Sequence, residues 1–214
     1  LGSSGLQVSA IGLGANNFGR RLDAAATALV VSESLDVGIN MIDTANSYGG
    51  GLSEEFVGKA LKGRRHGAII ATKVSSRVAE GPNNAGNSRM HIMAEVENSL
   101  RRLDTDYIDL YQIHWSNRSV PISETMGAME ELVDRGMVRY IGVSNFSVAE
   151  MKEAQRAMTK NPLVSNQVLY SLKRREIERD LIPYCADNGI TVIAYTPLAD
   201  GSLAGRSRLL PDKR

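Results

Sequence analysis

Three titratable residues close three successive apolar segments: Asp43 follows residues 39–42, Lys73 follows 68–72, and His114 follows 110–113. Tyr48 stands five residues beyond Asp43 in a glycine-flanked loop. Adjacent parallel strands lie about 4.8 Å apart. On neighbouring strands Asp43 and Lys73 can therefore pair, His114 stands one strand beyond, and Tyr48 can fold back over the same rim. Singly, each residue has an ordinary explanation as a solvated charge, a structural histidine or a packed tyrosine. Together they define a chemistry. Tyrosine ionises near 10 in water, and a nearby ammonium favours the tyrosinate form, so a phenol beside Lys73 suits general acid work. Asp43 would hold the lysine in place. The same pairing argues against a Schiff-base aldolase, whose lysine is desolvated and neutral. His114 can orient a carbonyl oxygen. A carbonyl that takes a proton must also take a nucleophile. None of the four residues is one, so hydride from a cofactor is the natural candidate.

These residues need a scaffold with strand ends on one rim. β-Branched apolar segments at 10–14, 39–43, 68–74, 107–113, 138–143, 163–169 and 190–195 read as strands. Between them, 23–37, 53–62, 88–103, 122–135, 147–158 and 176–188 carry helical periodicity, clearest where Ile92, Val96, Leu100 and Leu103 recur at three- and four-residue steps. Asp23, Ser53 and Ser88 suit N-caps, and Gly38, Gly136 and Gly189 suit helix ends. Strands alternating with helices imply a parallel sheet, either an open doubly wound sheet or a barrel. Residues 1–9 read as a small hairpin able to plug the bottom of a barrel. A barrel places its active site at the C-terminal strand ends, where Ser144, Asn145, Gln167, Tyr195 and Thr196 also fall.

Competing motifs are incomplete. Gly12-Leu-Gly14 lacks the third glycine of a dinucleotide loop, and after Gly58–Gly63 the pair Arg64-Arg65 replaces the Lys-Ser/Thr of a phosphate loop. Gly142-Val-Ser-Asn-Phe146 lacks the last glycine of a nucleophile elbow. No spacing suits a metal, so no metal ligands are expected. The 214 residues carry 25 Lys+Arg against 24 Asp+Glu, a balance that argues against nucleic acid and anionic membranes as partners. No apolar run reaches membrane-spanning length. The single cysteine, Cys185, excludes an intrachain disulfide, suits a reducing, cytoplasmic location and reads as a buried apolar residue. The length falls short of the roughly 250 residues typical of an eight-stranded barrel.

The pattern resembles the aldo-keto reductase family over nearly the whole chain. Residues 1–14 resemble its opening hairpin and first strand, Asn40-Met-Ile-Asp-Thr-Ala-Asn-Ser-Tyr48-Gly its Asp/Tyr motif, and Ser53-Glu-Glu-Phe-Val-Gly-Lys-Ala-Leu61 the helix that follows. Ile70-Ala-Thr-Lys73, Asp106-Tyr-Ile-Asp-Leu-Tyr-Gln-Ile-His114-Trp and Tyr140-Ile-Gly-Val-Ser-Asn-Phe146 continue the match. The resemblance implies a (β/α)8 TIM-barrel fold and NAD(P)H-dependent reduction of an aldehyde or ketone, NADPH being the expected cofactor and NADH the alternative. It implies a catalytic tetrad of Asp43, Tyr48, Lys73 and His114. Ser144, Asn145 and Gln167 would hold the nicotinamide carboxamide, Tyr195 would stack on its ring, and Thr196 and Leu198 would lie at the pyrophosphate.

The family continues past Ala194-Tyr-Thr-Pro-Leu198 with an eighth strand that grips the adenosine 2′-phosphate, whereas this sequence ends at Leu210-Pro-Asp-Lys-Arg214. The first expectation is one barrel domain over 1–214, truncated at the C-terminus, with about seven β/α units and exposed edges covered in a homo-oligomer; a missing tail and a stable lone monomer are the alternatives. Two other functions remain open: a cofactor-binding regulatory or assembly subunit, and an inactive barrel scaffold. Residues 16–21 and 115–121 are candidate substrate loops, where Trp115 packs on substrate or in the core. The 75–88 loop reads as a mobile turn. Lys173-Arg174-Arg175 reads as a solvated helix approach, with cofactor phosphate as the second explanation.

Overall fold

The computed structural model describes residues 1–204. Its strands are β1 (Leu13–Gly14), β2 (Met41–Asp43), β3 (Ile69–Val74), β4 (Ile108–Ile113), β5 (Val138–Ser144), β6 (Leu163–Leu169) and β7 (Thr191–Tyr195). Helices α1 (Ala24–Asp36), α2 (Leu52–Ala60), α3 (Arg89–Leu103), α4 (Ile122–Asp134), α5 (Val148–Ala157) and α6 (Leu181–Asp187) alternate with them. All strand pairs are parallel and follow chain order from β1 to β7. The result is an incomplete, curled (β/α) barrel whose strand ends share one rim. Among the described residues, β1 and β7 each pair on one side only.

Alternation along the strands sets two faces. Ile42, Ile70, Val74, Tyr111, Ile141 and Val143 turn outward and form one core with the helices. Met41, Ala71, Leu110 and Val164 turn inward, where Leu1 and Val8 pack against them. The N-terminal segment thus sits at the base of the sheet, as the sequence suggested, but it is not a hairpin. Residues 1–9 contain a turn and no paired strand. Beside local turn bonds such as Ser4 N to Leu1 O, two backbone amides are held by side chains far along the chain: Gly2 N donates to Thr191 Oγ1 at 2.7 Å, and Ser9 N to Asn40 Oδ1 at 2.7 Å.

Local signals explain most element ends. Asp23 and Ser88 cap α1 and α3 by accepting from Ala26 N and His91 N. Ser147 and Glu150 form a capping box on α5. Ser53 does not cap α2, which starts one residue earlier behind Gly51. Its hydroxyl is buried and donates to Ala15 O at 2.9 Å, 2.8 Å from Thr44 Oγ1. The segment expected as one helix over 176–188 divides into a 3-10 turn, Glu176–Glu178, and α6. Gly58 answers the phosphate-loop question. A Cβ there would stand 2.5 Å from Leu103 O, so the glycine serves close α2–α3 packing.

Candidate active site

The rim brings Asp43, Tyr48, Lys73 and His114 together. Asp43 ends β2, Lys73 is penultimate in β3, and His114 follows β4. Lys73 Nζ lies 2.7 Å from Asp43 Oδ2, donates to Thr44 O at 2.8 Å, and is 3.5 Å from Tyr48 OH. The Lys73 side chain is 0% exposed, against 17% for Asp43. A buried ammonium requires full pairing, and the carboxylate, the carbonyl and the phenol oxygen occupy its three donors.

Tyr48 begins a 3-10 turn, Tyr48–Gly51. Gly49, Gly50 and Gly51 have φ of 60°, 68° and 98°, values that glycine adopts at low cost. Space also matters, since a Cβ on Gly49 would stand 2.9 Å from Phe18 O. The turn lays the Tyr48 ring against His114, with centroids 5.9 Å apart and planes at 75°. Burial and the Lys73 ammonium push the His114 imidazole down from 6.5 to about 4, against the upward pull of Asp43. The ring is therefore neutral across the physiological range, and its buried Nδ1 has no partner among the described residues.

Asp43 Oδ1 accepts from Gln167 Nε2 at 2.8 Å and Gln112 Nε2 at 3.3 Å. Gln112 is a site residue that the polar-strand-end criterion passes over, because it lies inside β4. Its inward parity with Leu110 and His114 was the available signal. Ser144, Asn145, Gln167 and Tyr195 form a hydrogen-bonded chain next to the four. Ser144 Oγ donates to Gln167 O at 2.8 Å, Asn145 Nδ2 to Ser144 Oγ at 2.9 Å, and Tyr195 OH to Asn145 Oδ1 at 3.0 Å. Asn145 Nδ2 also reaches His114 O at 3.1 Å, which ties this chain to the histidine.

Thr196 and Leu198 are not drawn into this cluster. They occupy the turn after β7, where Thr196 has φ 53° and Leu198 is 54% exposed. Trp115 is not a core residue: it is 52% exposed and stacks on His114 at 5.8 Å and 13°. The 75–88 loop contributes Asn87, which is buried and donates to Trp115 O at 2.9 Å. Lys173, Arg174 and Arg175 are exposed, and Arg175 is engaged by Glu178. Cys185 is buried, with its thiol pushed up to about 11 by desolvation. Cavities of about 560 and 430 Å³ open at the opposite end of the strands, beside Tyr107 and Asn40, away from the four residues. Among the described residues, no cluster of three or more His, Cys, Asp or Glu could hold a metal, and no helix is long and apolar enough to cross a membrane.

A family model described as the aldo/keto reductase family matches residues 10–214. The end of that match, including Leu210–Arg214 on which the expectation of truncation rests, lies outside the described residues. The chain is 44% identical over 212 residues to aldo-keto reductase YhdN of Bacillus subtilis, covering 96% of this chain and 63% of that protein. It is 39% identical over 207 residues to methylglyoxal reductase YeaE of Escherichia coli, covering 96% and 69% respectively. The crystal structure of a thermostable aldo-keto reductase, Tm1743, with the inhibitor epalrestat superposes with a TM-score of 0.85 at 39% identity, over 94% of this chain and 73% of that one. The chain thus spans about two thirds of the length of the relatives it matches.

Proposed function

We propose, from the premise that the chain belongs to the aldo/keto reductase family, that it reduces an aldehyde or ketone to an alcohol with Tyr48 as general acid. The observation that carries this reading is the position of Lys73 Nζ, 2.7 Å from Asp43 Oδ2 and 3.5 Å from Tyr48 OH. A cation beside a phenol stabilises the negative charge that grows as the proton leaves. His114, neutral above about pH 4, offers a ring N–H to the carbonyl oxygen without competing as an acid. Asp43 keeps Lys73 in place, and Gln112 keeps Asp43 in place through its Oδ1.

The residues fit a nicotinamide. A primary carboxamide presents one donor and one acceptor edge, and Ser144, Asn145 and Gln167 bring a hydroxyl and two amides to one patch of the rim. When bound, the reduced cofactor supplies hydride to the carbonyl carbon. The three side chains would hold the carboxamide, the Tyr195 ring would pack on the nicotinamide face, and Thr196 and Leu198 would approach the pyrophosphate. Gln167 must then exchange its bond to Asp43 for one to the carboxamide, which leaves Gln112 on that oxygen. NADPH is the first candidate and NADH the alternative.

The exposed Trp115 ring beside His114 suits a small carbonyl compound, and one relative is named a methylglyoxal reductase. A cytoplasmic, reducing setting fits the lone buried cysteine. Assembly with a second copy, over the edges that β1 and β7 leave unpaired among the described residues, belongs to the same reading. The Lys73–Tyr48 contact favours catalysis over a subunit that only binds cofactor. The deciding experiment follows NADPH and NADH absorbance with a small reactive aldehyde, alongside native mass spectrometry with each nucleotide. Consumption that depends on the aldehyde supports the reading. Nucleotide retention without consumption would favour the regulatory subunit, and neither result would leave an inactive scaffold.

A further inference from the structure

Behind the four residues lies a buried ionic cluster that the proposed reaction does not itself use. Glu54 on α2 is 0% exposed, accepts from Thr72 Oγ1 at 2.6 Å, and pairs with Arg102 Nε at 2.6 Å. Burial pushes the Glu54 carboxyl up, even with the Arg102 charge beside it. Arg102 also reaches Glu95, two turns earlier on the same face of α3, at 3.4 Å. Glu95 Oε1 accepts from Asn98 Nδ2 at 2.7 Å. Its Oε2 accepts from Asn46 Nδ2 at 2.9 Å. Desolvation acts upward on this carboxyl, yet the bonds from Asn98 and Asn46 and the charges of Arg102 and His91 hold it below the usual range.

Asn46 is the informative member. It is buried at 2% exposure and lies two residues before Tyr48. Its backbone N–H donates to Lys73 O at 3.2 Å. The loop that carries Tyr48 is thus anchored to the Lys73 strand by one bond and to α3 by the other. Beyond Tyr48 come three glycines with left-handed φ, which give the chain little rigidity of their own. Beside the ring's own contacts with Lys73 and His114, the backbone anchor on the N-terminal side of the phenol runs through Asn46.

We propose that Glu95 is a positioning residue for Tyr48, acting through Asn46 to keep the phenol over Lys73. The proposal rests on the carbonyl-reductase reading for its catalytic consequence, though the anchoring itself does not. Glu95→Ala leaves Arg102 paired with Glu54, so the fold survives. A misplacement of about 1 Å costs on the order of 10²-fold in rate, so kcat falls by about 10- to 100-fold while KM and nucleotide binding change little. Glu95→Gln retains an oxygen for Asn46 Nδ2 and restores most of the rate. Asn46→Ala reproduces the loss. The double variant Asn46→Ala/Glu95→Ala is no worse than either single one, because both remove the same link.

Hydrogen exchange measured on the same proteins separates this proposal from the reaction it serves. In Glu95→Ala, exchange over residues 44–48 rises about tenfold while that of β4 stays unchanged, the pattern of local opening. A uniform rise across the chain, or unchanged exchange at 44–48, overturns the proposal whether or not the parent turns over. So do additive losses of kcat in the double variant. A parent that consumes no nucleotide yet shows the local exchange response counts against the carbonyl-reductase reading and supports the anchor.

Discussion

Lys73 Nζ lies 2.7 Å from Asp43 Oδ2 although the residue opposite Asp43 in the β2–β3 register is Ala71. The pair is diagonal: Lys73 stands two residues further along β3 and reaches back across the rim. The stagger lets an otherwise ordinary ion pair bury its cation completely while the carboxylate keeps 17% exposure. It also leaves Asp43 Oδ1 free for the amides of Gln167 and Gln112. The partners therefore depend on each other unequally.

Removing Asp43 leaves a fully buried ammonium without its carboxylate, whereas removing Lys73 leaves a carboxylate that still accepts two amide bonds. Breaking a buried pair from one side costs about 3–5 kcal/mol. Asp43→Ala should lower the melting temperature by roughly 10 °C in a chain of this size. Lys73→Met, which keeps most of the side chain's length and volume without its charge, should lower it much less. Both variants should lose turnover. Thermal unfolding checks the asymmetry, and equal losses of stability would contradict it.

Tyr48→Phe keeps the ring and its edge contact with His114, 5.9 Å between centroids, while removing the only group at this position able to give a proton. A positioned general acid is worth about 10²–10⁴-fold. The expected outcome is a loss of that size in kcat, with the circular dichroism spectrum and nucleotide-induced quenching of Trp115 unchanged. Undiminished turnover would remove Tyr48 from the reaction.

His114 gives a pH signature with a fixed sign. Its folded value, about 4, lies below the ordinary 6.5. On acidification the unfolded chain therefore takes the proton first. The contribution of the neutral ring is complete above pH 6.5 and is lost as pH falls toward 4. The full shift is worth on the order of 3 kcal/mol. Urea unfolding across that window should show stability falling with acid in the parent and a flatter profile in His114→Gln. Trp115 is the single tryptophan and stacks on this ring, so its emission should change near pH 4 in the parent alone.

The legible part of this molecule was the part that local chemistry writes. Apolar runs with polar ends gave β2 to β7 within a residue or two, since burial on both faces of a parallel sheet demands them. Asp23 and Ser88 marked true caps. Ser53 misled because its hydroxyl is spent on Thr44 and Ala15 O, and that partner choice depends on tertiary packing. The N-terminal glycine and serine pattern looked like a hairpin, but Gly2 and Ser9 donate their amides to the side chains of Thr191 and Asn40, more than thirty positions away. The Glu95–Asn46 link was hidden for the same reason, whereas Gln112 could have been read from its inward parity in β4. Glu95 and Asn46 become neighbours only in the folded chain.

Gly58 and Gly127 make opposite predictions for one substitution. In a helix interior alanine is favoured over glycine by about 1 kcal/mol, because glycine loses more backbone freedom on folding. Gly127 lies within α4 at an exposed position, where a Cβ would meet nothing within 4 Å. Gly127→Ala should therefore stabilise by about 0.5–1 kcal/mol. Gly58 lies within α2 with Leu103 O 2.5 Å from its would-be Cβ. That neighbour is backbone at the end of α3 and cannot rotate aside, so the helices must separate. Overpacking of this kind costs about 1–3 kcal/mol, which exceeds the propensity gain. Gly58→Ala should therefore destabilise. It should also lengthen the Glu54–Arg102 contact, now 2.6 Å, and through that cluster loosen residues 44–48. Paired denaturation curves check the sign, and a stabilising Gly58→Ala would show that the α2–α3 interface gives way without cost.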